Sequence, residues 1–519
     1  MPLPFSLPLA VFGPIDWFVL GTYMATMLVI GLAAAWRESR EKSGTAEFFL
    51  GGRSMPTWAL AISIVGSSLS AATFIGVPDD AFAGNLSYLI LFAGNFIAVF
   101  LVGWLFVPRL YRAGTVTIYG YLAQRFGEAG RVAVSVTFIF GRLLASGARL
   151  MMAAVPLVML VRGVTAGDVT REQMVLALLV IGFVGTFYTV FGGIRTVVWV
   201  DTIQFVLVVG AALLTVSLLL ARIDAPLTQI TATLSDAGKL KWLDLSFDLS
   251  KPYTLWAALT GQVLVAMAAF GVDHDLAQRF LVAKSPARGA LSVIASQFIA
   301  ILVVSLFLAI GLLLYVYYDG GKKLPPDSGR AVYQLFLMRE LPTVVSGLAM
   351  AGLFAVAQGS MDSAINALAS SVVADIYLPL RKAQGRPIDP DKPVNAPKWA
   401  VAAMGAAMTL FAIGCVYAYD PRGGFLKFAL GVLNYGFSGM LAVFLVALLT
   451  RRGSSASVIA ALATGVVVVA LTQDWALRPI TSALFGRPMS ISFTWAMPLA
   501  TGLAFLVCLA GKPRPVTRT

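Results

Sequence analysis

Ala61-Ile-Ser-Ile-Val-Gly-Ser-Ser-Leu-Ser-Ala-Ala-Thr-Phe-Ile-Gly76 is an apolar run crowded with hydroxyls. Ser63, Ser67, Ser68, Ser70 and Thr73 all fall within it, Gly66 sits among them, and Val77 and Pro78 follow. Hydroxyls at this density in a membrane-spanning helix have two readings. Small residues let helices pack closely. Alternatively the helix is broken there, and its freed carbonyls and hydroxyls face a ligand.

Composition places that run in a bilayer. Of 519 residues, 59% are hydrophobic and only 12% are charged. Soluble domains carry roughly 25% charged residues, so a chain this poor in charge cannot cover a water-facing surface. A soluble enzyme, a nucleic-acid binder and a disordered chain are excluded. About 20 apolar residues cross a bilayer. Candidate spans lie at 15–36, 57–82, 85–108, 132–161, 172–192, 196–221, 254–280, 286–317, 343–377, 397–418, 424–449, 454–472 and 490–511. The expected class is an all-α polytopic protein of about 13 transmembrane helices, with the lipid bilayer as its solvent. Several spans exceed one straight crossing, so tilt, kinks or breaks are expected.

The remaining global features are brief. Cys415 and Cys508 lie in apolar runs and imply no disulfide framework, and the single histidine, His274, excludes a multi-histidine metal site. The first sixteen residues hold no Lys or Arg, so 15–36 reads as a retained helix rather than a cleavable signal. The net charge of +13 is mostly orientation. Placing the N-terminus outside and the C-terminus in the cytoplasm puts the larger share of Lys and Arg on the cytoplasmic side, Arg279 among them.

Three more groups place polar chemistry inside spans, where it is costly and points to function. Gly359-Ser-Met-Asp-Ser-Ala-Ile-Asn366 concentrates Ser360, Asp362, Ser363 and Asn366 in one helix. A hard cation such as Na⁺ takes such oxygens; a structural hydrogen-bonded carboxylate is the alternative for Asp362. Asp201 follows the Gly192-Gly193 turn, where it is either a ligand or a helix-start carboxylate favoured by the dipole. Arg142 and Arg149 lie seven residues apart on one face of a span. A buried guanidinium suits a solute carboxylate in bidentate fashion, and equally a structural pair with an intramembrane Asp. Asp79-Asp80 reads as an external, solvated acid pair, and Tyr435 as a gate or core residue.

Phe49-Leu-Gly-Gly-Arg-Ser-Met55, Tyr188-Thr-Val-Phe-Gly-Gly-Ile-Arg195, Trp199-Val-Asp-Thr-Ile-Gln204 and Asp273-His-Asp-Leu-Ala-Gln-Arg-Phe-Leu-Val-Ala-Lys-Ser285 together resemble the bacterial sodium/solute symporter family. The resemblance implies a LeuT-type fold in a single transporter domain, with five-plus-five inverted repeats at 57–222 and 253–450. An extra N-terminal helix at 15–36 precedes the repeats, and two C-terminal helices at 454–511 follow them. It implies a bacterial inner-membrane, Na⁺-coupled importer of a small solute working by alternating access. The main Na⁺ site is expected from the carbonyls of Gly66, Leu69 and Val356 with the Ser360 hydroxyl. Gly359 stands where the family usually has a second hydroxyl. A second Na⁺ site, or a proton site, is expected from Asp201, Asp362 and Ser363.

For the solute, Ser68, Ser70 and Thr73 resemble the sialic-acid-transporting members, and Arg149 falls where those hold the solute carboxylate. Phe92 and Leu430 stand where sugar transporters carry polar contacts, and Phe270 stands near their tyrosine gate. A sialic or other sugar acid is the expected solute, with a neutral sugar or polyol as the alternative. An intramembrane enzyme built on Asp273, His274 and Asp275 is the remote third reading, since the family usually has Gln at 274. A transporter-derived sensor lacks the long C-terminal domain it needs.

Overall fold

The structure is a computed structural model. It describes residues 13–41, 44–162, 164, 168–324, 332–342, 344–386, 395–418 and 425–512. Among these residues the regular secondary structure is all helical, apart from one isolated bridge between Met55 and Ala283.

The helices follow the apolar runs. The first is α1 (Pro14–Glu41), followed by the short α2 (Thr45–Leu50), α3 (Thr57–Ser68) and α4 (Ala71–Ala83). Next come α5 (Leu91–Leu101), α6 (Val107–Arg112), α7 (Tyr119–Phe126), α8 (Glu128–Arg162) and α9 (Arg171–Arg222). A peripheral α10 (Leu227–Asp236) leads to α11 (Leu255–Ala257), α12 (Val263–Gly271), α13 (His274–Leu281) and α14 (Pro286–Tyr317). The rest are α15 (Val332–Arg339), α16 (Val345–Ser371), α17 (Leu378–Ala383), α18 (Ala396–Ala418), α19 (Phe425–Leu449), α20 (Ser455–Leu471), α21 (Asp474–Phe485) and α22 (Phe493–Leu509). Seven helical stretches are long and apolar enough to cross a membrane among the described residues, and three bent pairs raise this to ten. Phe18, Trp104, Phe140, Phe183, Leu302 and Leu410 point outward and exposed, as a lipid-facing surface requires.

Two bent pairs frame the centre. α3 and the Thr73–Ala83 part of α4 meet at 65°. The unwound residues are Leu69 (φ −67°, ψ 140°) and Ser70 (φ −140°, ψ 169°). Serine hydroxyls compete with the helix ladder here: the Ser68 hydroxyl donates to the Val65 carbonyl, which also accepts the Leu69 N–H. The second break divides the expected 254–280 span. Helix 255–271 and α13 meet at 58°, and the Asp273 carboxylate caps α13 by accepting the Asp275 N–H at 3.1 Å. In α9 the break falls at Gly193, whose φ of 54° is left-handed and suits glycine.

The regions expected as plain loops carry structure. Helix α10 lies within 222–253 and α15 within 318–342. Lys239, after α10, donates to the carbonyls of Phe82 and Ala83 at the C-terminal end of α4, where a cation is favoured. Burial there pushes its ammonium below the usual lysine pKa. Asp79 and Asp80 are not the solvated loop pair expected. They belong to α4, where Asp79 Oδ1 accepts the Tyr333 N–H at 3.0 Å and Asp80 accepts the Tyr253 hydroxyl at 3.3 Å.

Asp16 ties α1 to α16. It is buried, and its Oδ1 accepts the N–H groups of Val344 (3.0 Å) and Gly347 (2.9 Å) and the Ser346 hydroxyl (2.7 Å). It therefore caps α16 from another helix and stabilises Val344 at a left-handed φ of 79°. Asp16→Ala is expected to cost about 1–2 kcal/mol of stability by loss of a cap. Thermal melting of the detergent-solubilised protein checks this, with Asp16→Asn expected to lie between the two.

Candidate functional site

The centre is assembled where α3, α8, α9, α13 and α16 meet. Asp201, on α9, lies eight residues beyond the Gly193 break and is fully buried. That depth removes the helix-start reading. Its Oδ2 accepts the Ser63 hydroxyl at 2.5 Å, the Ser67 hydroxyl at 3.2 Å and Arg279 at 3.2 Å. A Cβ built on Gly66 would sit 3.3 Å from the Asp201 carbonyl oxygen, so α3 and α9 approach closely where α3 nears its end.

Arg279 corrects the sequence reading. It is not a cytoplasmic loop charge but a fully buried residue of α13. Its guanidinium donates to the Asp275 carboxylate at 2.7 Å, one turn back, to the Ser67 hydroxyl at 2.7 Å, to Asp201 and to the Ser363 hydroxyl. The signal available in the sequence was an arginine four residues after an aspartate, in a segment that is otherwise apolar at every third or fourth position.

Arg142 and Arg149 separate into two roles. Arg142 is buried and bridges two carboxylates, Asp273 at 2.6 Å and Asp275. It is a structural pair across the second break. Arg149 makes no hydrogen bond or ion pair with any described residue, and its side chain stays partly accessible. The ion-pair alternative for Arg149 is therefore absent here. His274 is fully buried between the rings of Tyr119 and Phe138, with Nε2 2.9 Å from the Ser370 hydroxyl. It packs as an aromatic core residue, and its neighbours Asp273 and Asp275 are held by arginines.

The residues of α16 lie as their spacing implied. Val356, Ser360, Asp362 and Ser363 are all buried, in mid-helix. Asp362 accepts the Tyr188 hydroxyl at 2.7 Å and the Ser363 N–H at 2.6 Å. The Ser363 hydroxyl lies 2.8 Å from that of Ser67. Asp201, Asp362 and Ser363 thus share one network in which Asp362 and Ser363 already have protein partners. Among the described residues the Ser360 hydroxyl makes only a within-helix bond to the Ala357 carbonyl at 3.2 Å. Gly66 and Leu69 stand at the open C-terminal end of α3, where helix carbonyls lack intrahelical partners.

Around the break, Ser68 and Thr73 are half-buried, whereas Ser70, Phe92 and Phe270 are buried. Phe270 is the penultimate residue of α12, immediately before the second break. Leu430 falls in a stretch whose side chains lie outside the described residues, and Tyr435 is half-buried in α19. A surface cavity of about 520 Å³ lies elsewhere, lined by Pro56, Trp58, Ile62, Lys284, Arg288 and Leu291. None of the expected solute residues lines it, so it carries no weight for solute binding. No group of three or more His, Cys, Asp or Glu suited to a metal occurs among the described residues. The oxygens present are hydroxyl, carbonyl and isolated carboxylate, which suits an alkali cation rather than a transition metal.

Electrostatics favour such a cation. Among the described residues Asp201, Asp273 and Asp275 are ion-paired only to Arg142 and Arg279, and Asp362 has no ion pair. The formal excess is negative, and buried charge of one sign demands compensation.

Residues 48–465 match the profile of the Sodium:solute symporter family. The Sodium/sialic acid symporter SiaT of Proteus mirabilis is 25% identical over 472 residues, covering 88% of this chain and 89% of its own. The human Sodium/iodide cotransporter is 25% identical over 464 residues, covering 88% of this chain and 69% of its own. Among solved structures, a substrate-bound, outward-open Na⁺-coupled sialic acid symporter superposes with a TM-score of 0.79 at 23% identity, covering 96% of this chain and 97% of that one.

Proposed function

The chain belongs to the sodium:solute symporter family and is a Na⁺-coupled multi-pass membrane transporter of LeuT-type fold, not an enzyme; from that premise we propose that its solute is a small carboxylate such as a sialic or other sugar acid. The observation that carries this reading is Arg149. An arginine inside a span, without a hydrogen-bond or ion-pair partner among the described residues and still partly accessible, is a group awaiting an anion. Its neighbour Arg142, seven residues away, is already neutralised and cannot serve. Ser68, Ser70 and Thr73 at the broken helix supply hydroxyls for the rest of the solute, and Phe92 and Phe270 supply apolar walls. The sialic acid symporters among the relatives support the choice of acid.

The main Na⁺ is held by the carbonyls of Gly66, Leu69 and Val356 and by the Ser360 hydroxyl. A second cation draws on Asp201, with Asp362 and Ser363 available once their present partners yield. Na⁺ binding at the α3–α4 break favours the outward-open state and orders the broken helix, which raises solute affinity by linkage. Repeats at 57–222 and 253–450 then rock about the site. A bent helix opening each repeat supports that division. The bacterial relatives and the placement of Lys and Arg support a bacterial inner-membrane location, N-terminus outside and C-terminus cytoplasmic.

Ser360→Ala is expected to raise the Na⁺ concentration for half-maximal uptake about tenfold, the loss of one ligand worth about 1.4 kcal/mol. Uptake rates at graded Na⁺ and constant ionic strength measure it. An unchanged Na⁺ dependence removes Ser360 from the site. Competition of that uptake by neutral hexoses but not by acids would favour the neutral-sugar alternative.

A further inference from the structure

The cavity of about 520 Å³ runs along the seam between α3 and α14, on the lipid-facing side of the molecule. Its size is that of a ligand pocket, roughly 300–1,000 Å³. Trp58 and Leu291 line it and are each 55% exposed. The walls divide by chemistry. Lys284, just before α14, and Arg288, in its first turn, stand at one end. Beyond them the lining is apolar, from Leu291 through Ala295 to Ile299 on α14, with Ala61 opposite on α3. The small side chains of Ala61 and Ala295 leave the seam unfilled.

The dimensions are those of one leaflet. Arg288 and Ile299 are eleven residues apart on α14, which is about 16 Å along the helix axis. Half of a hydrocarbon core roughly 30 Å thick is about 15 Å. The charged end lies at the membrane surface, where Trp58 packs edge-on against Trp199 at 5.7 Å, as aromatic residues do at that level. Lys284 and Arg288 are both exposed there, and neither side chain has a hydrogen-bond or ion-pair partner among the described residues. α3 begins at the same end without a side-chain cap, so its dipole adds to their positive charge.

Two unpaired cations at the head of an apolar trough one leaflet deep match an anionic phospholipid, its phosphate on the cations and an acyl chain below. A second copy of this chain is a poorer occupant. A two-fold pair in one bilayer would bring the cations of both copies to the same depth, where like charges repel. We infer that the α3–α14 groove binds an anionic phospholipid of the leaflet at which α3 begins, the cytoplasmic leaflet in the orientation proposed above, with Lys284 and Arg288 holding its phosphate. The site shares no residue with the proposed solute and Na⁺ sites and stands or falls apart from them. Its position gives it an effect. α3 is one half of a broken helix, and Met55, Ala59 and Leu60 at its start pack on Val282 and Ala283, just before α14. A lipid seated in the groove braces that seam.

The test is thermal melting of the purified full-length protein in detergent, titrated with dioleoyl phosphatidylglycerol or with dioleoyl phosphatidylcholine. Phosphatidylglycerol is expected to raise the midpoint by several degrees, and phosphatidylcholine far less. Lys284→Ala combined with Arg288→Ala should raise the half-effective phosphatidylglycerol concentration about 25-fold, about fivefold for each cation at a lipid surface. Arg451→Ala combined with Arg452→Ala removes another exposed pair and should keep the parent response. Ala295→Trp fills the apolar trough and should abolish the shift with both cations in place. The inference is overturned if the two lipids act alike, or if both cation pairs lose the response equally, which would mean general surface attraction. It is also overturned if glycerol 3-phosphate alone reproduces the shift, or if Ala295→Trp leaves it unchanged. A parent that is dimeric in detergent and becomes monomeric on Ala295→Trp would assign the groove to a second copy instead.

Discussion

Arg149→Ala is expected to abolish uptake of a carboxylate solute, with a loss on the order of 100-fold or more in initial rate at low solute. Removing one partner of a desolvated charge pair costs about 2–5 kcal/mol, and each 1.4 kcal/mol is tenfold. The same change should leave folding intact. Arg149 has no protein partner among the described residues, so its removal strands no acid, and a guanidinium inside a span is itself costly. Arg149→Lys keeps the charge but not the planar fork and should recover only part of the activity. The contrast with Arg142 sharpens the test. Arg142→Ala strands Asp273 and leaves Asp275 with Arg279 alone, and it is expected to fail in folding rather than in solute selection. Uptake by Arg149→Ala at the parent rate would remove Arg149 from the solute site.

Arg279→Ala is expected to destabilise the protein by roughly 3–5 kcal/mol, the usual effect of removing one partner of a buried ion pair. Its guanidinium joins three helices, through Asp275 on α13, Asp201 on α9 and Ser63 and Ser67 on α3. It also reaches Ser363 on α16. Without it, Asp201 loses its only ion-pair partner among the described residues, while Asp275 keeps Arg142. Adding Asp201→Asn to Arg279→Ala should therefore return part of the loss, a coupling that a double-mutant cycle measures. Thermal melting in detergent gives the readout, several degrees below the parent for the single variant. Additive effects would mean the two residues do not share the network described.

Much of the fold was legible because lipid leaves the chain few options. Apolar runs long enough to span became helices, and the hydroxyl-rich 61–76 segment broke where Leu69 and Ser70 leave the helix. The 254–280 span hid its break, since Gly271-Val272-Asp273 reads as continuous with its flanks. Only Asp273, as a cap, marks the restart of α13.

The site was legible one helix at a time. Polar residues on α3, α9 and α16 stood out against apolar neighbours, but their partners did not. Arg279 meets Asp201 across 78 positions, and Tyr23 meets Gln358 across 335. Such pairings are set by packing and leave no local pattern. Arg279 was misplaced for a related reason. Charge counting treats an arginine near a span end as solvated, whereas three serine hydroxyls and two carboxylates hold this one in the interior. Gly359 was visible as a departure, but the Gln204 side chain packed beside it needed coordinates.

The most direct test is flux. The purified protein, reconstituted in liposomes, should accumulate radiolabelled N-acetylneuraminate or a related sugar acid against its gradient when Na⁺ is supplied outside. Replacing Na⁺ with choline should abolish that accumulation, and excess neutral hexose should leave it unaffected. Accumulation that persists without Na⁺, or that follows neutral sugars instead of acids, would contradict the account.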